Sequence, residues 1–182
     1  MNLSSLIKEV NKDIDDSLSN AEIIQWINRG LDDLTPVAKY KQTAVIPLVI
    51  GQDKYDLPSD FHKIELIMDD NELFEIPLKD RTSRGYKKWG NALTIQPKPE
   101  NNGELTLYYY AKLPHLVNPD DEPVLPSNYH DLLVLYAVAR AKYQDEEPEM
   151  QMNAWSEYQA KKRDFAIEQN QDGEVGQVRL VT

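Results

Sequence analysis

Three histidines, His62, His115 and His130, are the only imidazoles in the chain, and they limit what general-base or metal chemistry it could perform. His62 follows Asp60 by two residues and His130 precedes Asp131, so convergence of the two pairs would supply a few metal ligands. The simpler reading is that each histidine finishes a helix turn or caps a backbone group, and no metal or cofactor is expected. Ser127, His130 and Asp131 have the residue types of a nucleophile, its base and an orienting acid. Spaced i, i+3 and i+4 at one helix start, they do not adopt that geometry. Ser127 serves better as a helix cap and Asp131 as a first-turn acid.

Carboxylates are abundant: Asp15-Asp16, Asp32-Asp33, Asp69-Asp70, Asp120-Asp121-Glu122 and Asp145-Glu146-Glu147. Glycoside hydrolysis needs two of them facing one another across a cleft. The spacing singles out no such pair, so solvated charge is the expected account. The sequence holds no GxxxxGK[ST] or GxGxxG cradle and no HExxH, and its seven glycines leave little to build a phosphate loop from. With no cysteine, thiolate catalysis, disulfides and Cys-based zinc sites are excluded.

Binding residues are better represented. Lys79, Arg81, Arg84, Lys87 and Lys88 cluster with Tyr86 and Trp89 in a segment without apolar periodicity. Interleaved basic and aromatic residues grip nucleic acid or a partner's acidic surface. The alternative is an exposed connection with Trp89 tucked into a sheet. A second candidate is the thin stripe of Met152, Trp155, Tyr158 and Phe165 on an otherwise polar helix, which packs on its own domain or against a neighbouring subunit. The third is the C-terminal run, where Val175, Val178, Arg179, Leu180 and Val181 sit in a β-prone stretch too short to fold alone.

The frame for these residues follows from periodicity. Leu3, Leu6, Ile7, Val10 and Ile14 mark a first amphipathic helix over residues 3–14. Ser19 and Glu22 form a capping box opening a second helix over 19–35, ended by Pro36. The two helices form a hairpin. From residue 43 to 112 the pattern turns β-rich. Thr43 to Ile50 reads as an edge strand because Pro47 lacks a ladder donor. Ser59-Asp60-Phe61 reads as one helical turn. Ile64–Met68 with Leu73–Ile76, and Leu93–Ile95 with Glu104–Ala111, read as two hairpins. The last of these strands carries bulk on both faces, so both should be covered, one of them by another subunit. A third helix over 127–144, apolar all round at its centre, belongs in the interior. A fourth spans 149–169. The predicted fold is α+β: a helical hairpin and two long C-terminal helices packed with a small antiparallel sheet. Residues 1–171 are expected to form one domain and 172–182 a docking tail.

The 182 residues are 41% hydrophobic and carry a formal charge of −11, enough for one modest core and unsuited to general nucleic-acid binding. No apolar run approaches the ~18 residues of a membrane span. The N-terminus opens directly on the first helix, so no signal peptide and a cytosol-like compartment are expected.

Several ordered landmarks combine into a resemblance. They are Trp26-Ile27-Asn28-Arg29-Gly30-Leu31-Asp32-Asp33-Leu34, Tyr55-Asp56-Leu57-Pro58-Ser59-Asp60-Phe61, Ile95-Gln96-Pro97-Lys98-Pro99, Leu107-Tyr108-Tyr109-Tyr110 and Leu125-Pro126-Ser127-Asn128-Tyr129-His130-Asp131-Leu132-Leu133. Over roughly Ser19 to Tyr143 the series resembles the head–tail adaptor (connector) proteins of tailed bacteriophages. The resemblance implies a structural virion protein of the neck, not an enzyme, assembled in the host cytoplasm. It implies a ring of identical subunits, commonly twelve, beneath the portal protein, extending the DNA channel and offering a platform to tail or nozzle proteins. Genomic DNA would pass without specific binding, which an acidic lining favours. On that reading Trp155, Tyr158, Phe165 and the tail residues are portal or subunit contacts. Arg81, Arg84, Tyr86, Lys87, Lys88 and Trp89 face tail proteins or DNA. A carboxylate-based hydrolase and a non-viral scaffolding module remain the alternatives.

Overall fold

The computed structural model describes the backbone of residues 1–14, 18–144 and 146–174. The chain divides into two compact units: Met1–Lys39 with Leu113–Thr182, and Tyr40–Lys112. The first is helical and the second is built of strands, so the fold is α+β.

In the helical unit, α1 spans Leu3–Asp13 and is capped by Asn2, whose side chain accepts from the Ser5 N–H at 3.0 Å. Helix α2 covers Asn20–Ala38 and opens on the expected capping box, with both reciprocal bonds between Ser19 and Glu22 formed. Pro36 does not end it. The helix runs on to Ala38 and stops where Lys39 takes a left-handed conformation (φ 47°). Thr35 helps carry the chain past the proline, its hydroxyl donating to Leu31 O at 3.0 Å and accepting from Leu113 N–H at 3.1 Å.

A 3-10 turn at Ser127–Tyr129 leads into α3, Asp131–Gln144. Backbone bonds close that turn and no side chain caps it, so Ser127 does not play the predicted capping role. Leu132, Leu133, Ala137 and Ala141 on α3 are fully buried, and α1, α2 and α4 all pack against it. It lies at the centre of the helical unit because its sequence offers no polar face to water. Helix α4, Pro148–Glu174, is longer than its sequence pattern indicated and runs through Gly173.

The strand unit holds two antiparallel sheets. One has the order β1 (Lys41–Leu48), β7 (Gly103–Ala111), β3 (Phe61–Met68), β4 (Glu72–Leu73); the other β2 (Lys54–Asp56), β6 (Ala92–Gln96), β5 (Gly85–Trp89). They share one apolar core that includes Ile67, Leu93, Leu105 and Leu107. The β3–β4 hairpin forms at the predicted turn, but β4 is only Glu72–Leu73, and the rest of the predicted Leu73–Ile76 strand bonds to β5, with Ile76 N–H donating to Tyr86 O at 2.9 Å. The predicted pairing of β6 with β7 is not formed. β6 instead pairs with β5, in the segment read from sequence as a loop, and the proline-rich stretch after it carries the chain to the other sheet. Residues 59–60 form a tight turn closed by Phe61 N–H to Pro58 O at 3.0 Å, not a helical turn, and Phe61 starts β3. On β7, Leu105, Leu107 and Tyr109 are buried, whereas Tyr108 on the other face is 41% exposed in the single chain.

Candidate functional site

The ordered landmarks of the sequence turn out to be staples within each unit. In α2, Asn28 clamps the segment after residue 112, donating to Leu116 O at 3.0 Å and accepting from Leu116 N–H at 2.8 Å. Gly30 lets α3 approach closely, since a Cβ there would lie 3.3 Å from Leu133 Cδ2. Asp32 meets His115 at 2.9 Å. Asp33 accepts from both the Tyr158 hydroxyl and Lys162 Nζ of α4. In the strand unit, the Tyr55 hydroxyl donates to Gln52 O at 2.9 Å, and Asp60 accepts from the Tyr109 hydroxyl at 3.0 Å. Burial and then that bond push Tyr109 up to about 12.

The triad-like residues are occupied in the same way. His130 is buried, with Nε2 2.9 Å from Leu125 O and Nδ1 2.6 Å from the Met1 nitrogen. Asp131 is an ion-pair partner of Lys161, and Tyr129 donates its hydroxyl hydrogen to Glu168. No group of three or more His, Asp and Glu residues able to hold a metal occurs among the described residues. No described helix is long and apolar enough to cross a membrane.

Of the α4 stripe, Tyr158 and Phe165 are fully buried. Tyr158 lies edge-on to Tyr136 and Phe165 packs on Tyr129, so both fasten α4 to its own unit and present no surface to a partner. Burial, then the Asp33 bond, drives the Tyr158 hydroxyl far above its usual range. Trp155 is half-buried, stacked on Tyr158, with the Arg140 guanidinium 6.0 Å from its ring. Val175, Val178, Arg179, Leu180 and Val181 lie outside the described residues.

The basic segment divides into structural and presented residues. Asp80 accepts from the Thr82 and Ser83 N–H groups at 2.8 and 2.9 Å and from the Ser83 hydroxyl at 2.6 Å. These bonds hold its carboxyl well below the usual range. Lys87 donates to Asp80 O and to Gln96 Oε1, Arg84 pairs with Asp69 at 2.8 Å, and Lys88 lies over the Phe61 ring. Tyr86 is buried and its hydroxyl shifted upward, first by burial and then by Glu75. Lys79, Arg81 and Trp89 remain exposed. Trp89 is not tucked into the sheet: at 74% exposure it stands clear at the end of β5.

One feature escaped the sequence reading. At the α3–α4 turn, Lys142, Tyr143, Gln144, Glu146, Glu147, Pro148 and Gln151 line an open pocket of about 510 Å³. Lys142, 3% exposed, meets Glu147 at 2.9 Å. The predicted helices over 127–144 and 149–169 leave a break there, but a concavity depends on how two helices meet.

Against this background the comparison with known families is informative. The profile of the SU10 adaptor protein family matches residues 1–180. The chain belongs to the SU10 adaptor protein family. This is a phage head–tail adaptor family, and the match extends beyond the Ser19–Tyr143 stretch that carried the resemblance. No curated protein sequence matches the chain.

Proposed function

We infer that this SU10-family adaptor acts as a ring of identical subunits, twelve in number, seated beneath the portal of a tailed phage. The ring extends the DNA channel and presents the platform on which tail or nozzle proteins assemble. Family membership across residues 1–180 carries this reading. The distribution of charge supports it. The helical unit holds ten Lys and Arg against twenty Asp and Glu, a net −10, while the strand unit has ten against eleven, a net −1. A strongly anionic surface lining a channel lets DNA slide without adhesive contacts. The C-terminal residues Val175, Val178, Arg179, Leu180 and Val181 act as a docking arm on the portal or a neighbouring subunit. Partner strand addition through backbone bonds is the mode such a segment suits.

The test is direct. The protein is mixed with the portal of the same phage at micromolar concentration and imaged by electron microscopy. Ring-shaped density on the portal, with mass consistent with twelve subunits, is the expected result. Bare portals at that concentration overturn the reading.

A further inference from the structure

The strand unit carries a rigid aromatic knob and the helical unit an acid-lined hole, and both stand open in the single chain. Trp89 pairs across the ladder with Ala92, whose methyl leaves the indole uncovered. The turn that carries it is fixed. Asn91 O accepts from Leu57 N–H at 3.0 Å and Asn91 Nδ2 donates to Leu57 O at 3.3 Å, so little ordering entropy remains to be lost on binding. Lys87 and Lys54 both pair with Thr94 and therefore share the face of Trp89, together with one carboxylate, Asp56. The segment from 79 to 89 adds Lys79 and Arg81, and its single acid, Asp80, is spent on its own loop.

The hole is the pocket of about 510 Å³ at the α3–α4 turn, a size within the ~300–1,000 Å³ range of binding pockets. Its apolar lining is Tyr143, which is 68% exposed, and Pro148; Glu146 and Glu147 line it too, Glu147 in an ion pair with Lys142 at 2.9 Å, and Glu149 follows in the first turn of α4. The turn is held by Glu147 N–H to Lys142 O and Gln151 N–H to Glu147 O, both 3.0 Å.

We propose that the Trp89 hairpin of one copy docks in the α3–α4 pocket of the next copy, as an intersubunit contact of the assembled protein. Charge argues for this occupant. The helical unit's net −10 meets the cationic segment of residues 79–89, and buried Trp anchors ringed by complementary charge are what carry interfaces. Knob and hole are different surfaces, so the contact is head-to-tail, the kind that closes into rings. It rests on the ring reading given above. A duplex-DNA role for the same hairpin is disfavoured by the chain's −11 charge.

The chain's lack of cysteine makes the test clean. Full-length Ala92→Cys and Gln144→Cys chains are mixed, with and without portal, and treated with a short bismaleimide; Lys8→Cys replaces Gln144→Cys as the control. The 92–144 heterodimer should form well above the 92–8 background. Adding Trp89→Ala to the first chain should weaken it about thirtyfold, as loss of an interface anchor does. Assembly observed with no 92–144 product above background, or a product indifferent to Trp89→Ala, overturns this contact and leaves the ring reading standing. No assembly with or without portal removes both. Retention of the wild type, but not of Trp89→Ala, by duplex DNA would assign the hairpin to nucleic acid instead.

Discussion

Tyr158, fully buried on α4, donates its hydroxyl hydrogen to the Asp33 carboxylate on α2, and Lys162 Nζ reaches the same carboxylate oxygen at 2.6 Å. One acid thus anchors two side chains a turn apart on a helix whose surface is otherwise polar. Apolar burial by Tyr158 and Phe165 alone would hold α4 by only about 3–6 kcal/mol before entropy, so polar staples decide whether it stays docked.

Tyr158→Phe keeps the ring packing and removes the hydrogen bond to a charged acceptor, a loss of about 1.5–3 kcal/mol. For a chain of this size the melting temperature should fall by roughly 3–12 °C. An unchanged melting temperature by calorimetry would show that Asp33 and Lys162 suffice without it.

Leu133→Asp tests the centre of the helical unit. Leu133 is fully buried beneath Gly30 of α2, and a carboxylate there has no partner. The cost is several kcal/mol, enough to prevent folding of a marginally stable chain. Far-UV circular dichroism should show a largely unfolded protein; a native spectrum with unchanged melting would relocate the core.

Alkali should act through the tyrosines. Tyr109 and Tyr110 are each pushed up to about 12, by burial first and then by hydrogen bonds to Asp60 and Glu65. Their neutral forms are favoured by the fold. The stability they contribute is complete below pH ~10, where unfolded tyrosine is still protonated, and is lost as pH rises from there toward 12. Unfolding monitored against pH should show stability falling across that window. Tyr109→Phe should flatten the fall, and an equal slope in the variant would refute the assignment.

The helical unit was legible because its signals are local: the Ser19–Glu22 box, the 3.6-residue stripes and the all-apolar stretch of α3 each act within a few turns. Pro36 misled because a buried Thr35 hydroxyl, bonded to Leu31 and to distant Leu113, supports the chain past it. In the strand unit, the partner of β6 depends on which edge lies nearest in space. No pattern in Leu93–Ile95 distinguishes pairing with Gly85–Trp89 from pairing with Glu104–Ala111. The α4 stripe is ambiguous for a related reason. Its polar neighbours leave packing on its own domain and on a neighbouring subunit equally open, and long-range contacts to Asp33 and Tyr129 bury Tyr158 and Phe165 within their own unit. For Trp89 the sequence leaves open a presented contact or a ring tucked into the sheet, and the ladder register leaves it outside.

Gly85 offers a separate check on the frame beneath the Trp89 hairpin. A Cβ at this position would lie 2.4 Å from Phe74 O and 2.7 Å from Ile76 Cγ2. The same backbone stretch is tied to β5 by Tyr86 N–H to Phe74 O at 3.0 Å and Ile76 N–H to Tyr86 O at 2.9 Å. Alanine therefore cannot be accommodated by a side-chain rotation; the backbone of 74–76 must move and those two bonds must stretch or break. Overpacking of this kind costs about 3 kcal/mol. Gly85→Ala should lower the melting temperature by roughly 6–12 °C and speed amide exchange at Tyr86 and Ile76 ahead of exchange in α3. Exchange unchanged at those two amides would mean that the 74–76 segment is not held against β5 as described.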